Sequence, residues 1–158
     1  MTSTSLPRST GAYLLEPDEG QRIDNLGLRL LVTDQETDGE FLAGIVTNPG
    51  PGGPPIHTHA SVDEMYFVLQ GRYRFTIGGQ ETVGGPSTFV YVPRGTSHTF
   101  SSEGPEEGQL FFVTLPGTLA FLQGISDLQG TGLDQRAMVE HFRTFETELD
   151  QPPLGGNA

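Results

Sequence analysis

Cysteine is absent from all 158 residues. That excludes a disulfide framework, a thiolate nucleophile and a cysteinyl zinc site, so any metal must be held by nitrogen and oxygen. Positive charge is scarce: eight Lys and Arg stand against twenty Asp and Glu, a formal net charge of -12. No basic stripe exists to neutralise phosphates or an anionic bilayer, which argues against nucleic acid and membrane surfaces as partners. Long apolar runs are missing too. No stretch approaches the length of a membrane span, and MTSTSLPRSTGAYLLEPDEG lacks the basic start and apolar centre of a secretory signal. The expectation is a soluble, cytoplasmic protein. No segment repeats, and the length admits one domain.

Turn chemistry, by contrast, is plentiful: 22 glycines and 12 prolines make up about a fifth of the chain. They separate short segments of strand length, rich in β-branched and aromatic residues. These are LGLRLLVT (26–33), EFLAGIVTN (40–48), EMYFVLQG, RYRFTIGG, STFVYVP, HTFSS and QLFFVTLP. With no helical pattern between them, an all-β fold of antiparallel strands is expected, as a sandwich or small barrel. Alternation places Tyr73, Phe75 and Ile77 on one face of their strand, and Glu64, Tyr66 and Val68 on one face of theirs. EMYFVL and QLFFVTL are apolar on both faces. Their outer face therefore calls for a cover: the N-terminal strands, the C-terminal helix or a second subunit, with a homodimer favoured.

The character changes after Pro116. Thr118 is a candidate cap for a short helix in PGTLAFLQGI. Asp134 caps a stronger one, whose stripe Met138, Phe142, Phe145 and Leu149 runs toward Pro152 and Pro153. The expected organisation is a flexible arm over 1–10, a β-barrel over 11–116, helices packing on it over 117–152 and a flexible tail over 153–158. His141, alone on a helix, reads as a surface or packing residue rather than a ligand.

The chemistry lies elsewhere. His57 and His59 are two apart in IHTHASVDEMYF, so on a strand both imidazoles project from one face. The residues ASVD can turn the chain, after which Glu64 can face the same interior. In VPRGTSHTF, a turn at Pro93 and Gly95 leads to His98. Three neutral imidazoles and one carboxylate suit one divalent transition metal: Fe, Ni, Mn, Co, Cu or Zn. The plainer alternative is a set of satisfied structural histidines.

HTHASVDEMYFVLQG resembles the first motif of the cupin superfamily, and PRGTSHTF resembles its second. LPGTLAFLQGI, an Asp-initiated helix and LDQPPL resemble the tail of single-domain cupins of the quercetin 2,3-dioxygenase type, extending the resemblance over about Leu26 to Leu154. Ser102 stands where the second motif usually has Asn, Gly85 lies farther before Pro93 than is usual, and Pro51 occupies the place of the first motif's opening Gly. The resemblance implies a double-stranded β-helix, or jelly-roll barrel, with a short C-terminal helical segment. It also implies a metal inside the mouth held by His57, His59, Glu64 and His98, with Glu64 acting in addition as base. Tyr66, Phe75, Tyr91, Phe100 and Phe112 are candidate pocket aromatics. With no cationic cluster beyond Arg94, they favour an aromatic or polyketide-like substrate over a sugar phosphate. The implied activity is a dioxygenase using dioxygen on a flavonol-like or other enolisable compound. A non-oxidative cyclase, isomerase or decarboxylase, and a ligand-binding protein without turnover, are the alternatives.

Overall fold

The computed structural model describes residues 11–150, Leu133 excepted; the arm and tail expected at 1–10 and 153–158 lie outside them. Eleven strands form among the described residues: β1 (Gln21–Ile23), β2 (Leu28–Val32), β3 (Leu42–Asn48), β4 (His57–His59), β5 (Asp63–Gln70), β6 (Tyr73–Ile77), β7 (Gln80–Gly84), β8 (Phe89–Val92), β9 (His98–Ser102), β10 (Gly108–Leu115) and β11 (Thr147–Leu149). A four-residue helix α1 (Asp34–Thr37) and the longer α2 (Leu119–Gly130) and α3 (Gln135–Thr144) complete the fold.

The strands make two antiparallel sheets. One has the order β1-β2-β3-β10-β5-β8 and the other β11-β4-β9-β6-β7. Neither closes into the barrel that the sequence led us to expect: β1 and β8 are the edges of the first sheet, β11 and β7 of the second. A core requires only two facing apolar surfaces, and alternation supplies these without hydrogen bonds from one sheet to the other. Leu30, Val68, Val92, Leu110 and Phe112 face Tyr73 and Phe75 across the gap in one contiguous buried cluster.

The helical part is also larger than a short segment, with twelve residues in α2 and ten in α3. Thr118 precedes α2 as its cap residue but makes no side-chain capping bond. Its place is taken by Asp34 of α1, whose Oδ1 accepts from Leu119 N–H at 2.9 Å. Asp134 caps α3 by accepting from the N–H groups of Arg136 and Ala137. As anticipated, Met138 and Phe142 are buried. The stripe does not run on to Leu149, because Glu146 takes a left-handed φ of 53° and turns the chain. Thr147–Leu149 then pairs with β4 as a strand, Thr147 opposite His59 and Leu149 opposite His57.

Gly53, in the Gly/Pro run before β4, is required by close approach. A Cβ there would stand 1.8 Å from the carbonyl oxygen of Phe100. The run thereby lies against β9 and delivers the chain to His57.

Candidate metal centre

Four side chains meet between the two sheets. β4 carries His57 and His59 on its inner face, β9 begins with His98 directly across from His57, and β5 presents Glu64 from the opposite sheet. All four are buried, and their ligand atoms lie within 4.8 Å of one another. Two atoms bound to a common first-row metal at ~2.1 Å stand roughly 3–4 Å apart, so the cluster has the dimensions of a single-ion site.

Each imidazole is held by its outer nitrogen. His57 Nδ1 lies 2.8 Å from the carbonyl of Pro55, His98 Nδ1 2.9 Å from that of Thr96, and His59 Nδ1 2.7 Å from Thr147 Oγ1. The Nε2 atoms of His98 and His59 lie 2.6 Å and 3.3 Å from the two carboxylate oxygens of Glu64. Carbonyl partners fix the tautomer of a ligating histidine and leave the other nitrogen for the metal, which is the arrangement at His57 and His98.

The electrostatics point to a cation. Burial pushes the Glu64 carboxyl up, but the imidazoles of His59 and His98 beside it outweigh that and hold the group well below the usual carboxylate range. Burial draws His98 down, while its bond to Glu64 prevails and raises it. Burial lowers His57 to about 4, so that imidazole is neutral at physiological pH. Glu64 and His98 thus each favour the other's charged form. A divalent metal on the same four side chains would balance the carboxylate in place of a proton, and three imidazoles with one carboxylate suit the borderline first-row ions. The residues fit the ion.

The expected pocket aromatics divide. Tyr66 neighbours Glu64 on the inner face of β5, and its hydroxyl donates to a Glu64 carboxylate oxygen. Burial and then the Glu64 charge push that phenol well above its ordinary value, so it remains a donor. Phe75 and Phe112 belong to the core, with Phe100 packed against it 5.4 Å from the Tyr66 ring. Tyr91 is not part of the interior. It pairs with Met65 on the outer face of its sheet and is 53% exposed, because Val92, one residue on, is the partner of Glu64. Arg94 turns away to bond Asp63.

Sequence reasoning missed the residues that crown the histidines. Phe121 of α2 stands edge-on to His59 at 5.8 Å, and Phe142 of α3 edge-on to His57 at 6.4 Å. Helical periodicity marks Phe142 as inward-facing but cannot say what it covers. His141, read as a surface or packing residue, stacks on Phe121 and stays outside the cluster. Thr147 carried no signal, since its role depends on a strand pairing made 88 residues away from its histidine.

Comparison with known proteins leads to the same place. The family model "Cupin domain" matches residues 45–114, which include all four clustered side chains. Quercetin 2,3-dioxygenase of Bacillus subtilis is 34% identical over 102 residues, 61% of this chain but 29% of that enzyme, so the match spans less than a third of its length. An uncharacterised protein of Streptomyces coelicolor is 32% identical over 89 residues, covering 56% of this chain and 81% of that one. In three dimensions the cupin domain of Schizosaccharomyces pombe Cnp3 superposes with a TM-score of 0.56 at 21% identity, over 71% of this chain and 78% of the other. Two facing antiparallel sheets, a buried three-histidine, one-glutamate cluster and these matches together make the chain a member of the cupin superfamily.

Proposed function

We propose that the protein is a metal-dependent dioxygenase acting on a flavonol-like or other enolisable aromatic compound. The observation that carries this reading is a single ionised carboxylate, Glu64, set among three imidazoles, with the rings of Phe121 and Phe142 on the outer side and Tyr66 on the inner. The likeness to a quercetin dioxygenase supports it.

In this reading His57, His59, Glu64 and His98 hold one divalent transition metal. When bound, the metal supplies Lewis acidity toward a substrate oxygen and, if redox-active, a path for electrons between an enolate and dioxygen. The protein's own groups do the rest. Glu64 accepts the proton of the substrate's enolic hydroxyl at a carboxylate oxygen. The Tyr66 hydroxyl, held protonated, orients that carboxylate. Phe121 and Phe142 give a planar substrate aromatic edges to pack against and keep water from the histidines. Residues 11–116 thus carry the ligands, and the helices α2 and α3 after them complete the mouth.

Oxygen uptake by the metal-loaded protein with a series of flavonols and enolisable aromatics tests the assignment. Substrate-dependent uptake supports it. Conversion without uptake would make the protein a non-oxidative cyclase, isomerase or decarboxylase, and binding without conversion a ligand carrier.

We also propose that the working unit is a homodimer joined through the outer face of the six-stranded sheet. Phe89 is 59% exposed there, in register with Phe67 and two pairs along from Tyr91 with Met65 on the same face. β8 is an edge strand of four residues, FVYV, without a charge, so a second copy can approach it where the acidic remainder of the surface would repel.

A further inference from the structure

The two neighbours of His59 in the cluster differ from it in how they are secured. His57 and His98 each bond a carbonyl two residues earlier in their own loops, Pro55 and Thr96. His59 alone depends on a distant side chain, the buried hydroxyl of Thr147. That hydroxyl has one proton, which it donates to the carbonyl of Phe145 at 3.1 Å. Toward His59 it can therefore only accept, which places the imidazole proton on Nδ1 and turns the Nε2 lone pair to the Glu64 side.

Thr147 is itself fixed by what surrounds it. The left-handed Glu146 directs its carbonyl to the N–H of Ala60 at 2.9 Å, and Ser61 Oγ donates to its carboxylate. Three residues on, Asp150 N–H donates to Ile56 O at 3.0 Å. The Asp150 carboxylate accepts from Thr58 Oγ1 at 3.0 Å and from Ser97 Oγ. Thr58 lies between the first two histidines and Ser97 directly precedes the third. One short segment, 146–150, is therefore stitched to the chain on both sides of His57 and His59 and just before His98, and it lies wholly beyond the region that the family model matches.

We infer that β11 is a positioning element of the metal centre and that Thr147 is the positioning residue that selects the metal-binding tautomer of His59. The inference rests on the metal-centre reading above. Loss of such an outer hydrogen bond typically weakens metal binding about 10–100-fold.

The test uses the full chain, stripped of metal and titrated with Zn²⁺ against a chromophoric chelator. Wild type, Thr147→Val, Thr147→Ala, Thr147→Ser and His57→Ala are compared, with metal-free melting recorded for each. One Zn²⁺ per wild-type chain is expected, with affinity reduced about 10–100-fold in Thr147→Val and Thr147→Ala and kept within about threefold in Thr147→Ser. ¹⁵N NMR of the metal-free protein should show His59 protonated on Nδ1 in wild type and in Thr147→Ser, and the single tautomer lost in Thr147→Val. The valine variant is nearly isosteric, and the alanine variant repeats the measurement should valine not fold. Unchanged affinity in the valine or alanine variant, or serine binding as weakly as valine, overturns the inference and leaves the metal-centre reading intact. A wild-type chain that binds no Zn²⁺, or binds it as well after His57→Ala, overturns that reading instead.

Discussion

His98 Nε2 lies 2.6 Å from a carboxylate oxygen of Glu64, although β9 and β5 belong to different sheets. The bond is the closest polar link between the sheets inside the cluster, and it joins two proposed ligands. Replacing His98 by alanine leaves the buried carboxylate with one donor fewer. We expect His98→Ala to lower metal content below one-tenth of wild type by elemental analysis. The metal-free form should lose about 3 kcal/mol in urea unfolding, since an orphaned buried charge is more costly than the pair was worth. Retained metal would refute the ligand assignment.

The metal-free protein should be most stable near pH 6.5, because two histidines impose opposite slopes. His57 is depressed to about 4 by burial, so the unfolded chain takes up a proton that the folded one refuses, and stability falls from pH 6.5 toward 4 by about 3 kcal/mol. His98 is raised by Glu64, so its contribution is complete below about 6.5 and is lost as pH rises through its folded value. Glu64, held low, adds a further loss only below the ordinary carboxylate range. Urea melts between pH 4.5 and 8.5 after chelator treatment check this. His57→Gln should flatten the acidic arm and His98→Gln the alkaline one; identical curves for all three proteins would rule the account out.

Tyr66→Phe removes the hydroxyl that donates to Glu64 and keeps the ring in the core. Stability should change by no more than about 1–2 kcal/mol. Turnover, once a substrate is in hand, should fall at least tenfold in kcat, with metal content preserved. A variant with unaltered kcat would remove Tyr66 from the proposed mechanism.

For the dimer, sedimentation of the wild-type chain should give twice the single-chain mass. The double substitution Phe89→Ser and Tyr91→Ser, both on the exposed edge strand, should give monomers with an unchanged melting profile of the two-sheet core. A monomeric wild type at micromolar concentration would dispose of the second copy as the cover for this face.

Gly53→Ala should destabilise the fold by roughly 1–3 kcal/mol, because its Cβ meets a backbone carbonyl of β9 that has no rotamer to yield. Thermal melting checks it, with Gly50→Ala as the control, since nothing stands within 4 Å of a Cβ at Gly50.

Much of the centre could be read from the residues, because local periodicity decides it. The two-residue spacing of His57 and His59 is preserved on β4, and the parity of β5 puts Glu64, Tyr66 and Val68 inside. What failed was whatever depends on partners distant in sequence. β7, QETVG, is exposed at every position but its last and has no apolar signature; it is a strand because β6 pairs with it. β11 was hidden within a helical stripe that Glu146 interrupts. Tyr91 was misplaced because the strand STFVYVP is apolar at neighbouring positions, and only pairing with β5 fixes which face it takes. The open edges of the two sheets, too, are a matter of hydrogen bonding between strands far apart in the chain.

The pairing of Thr147 with His59, and of Asp150 with Thr58 and Ser97, gives the centre a chronology. The part of the chain up to α2 contains all four clustered side chains, yet lacks the hydroxyl that holds His59 and the carboxylate that ties down Thr58 and Ser97 beside the histidines. The full set of hydrogen bonds around the site therefore closes only once residues as distant as Thr147 and Asp150 have paired with β4 and the turn before β9.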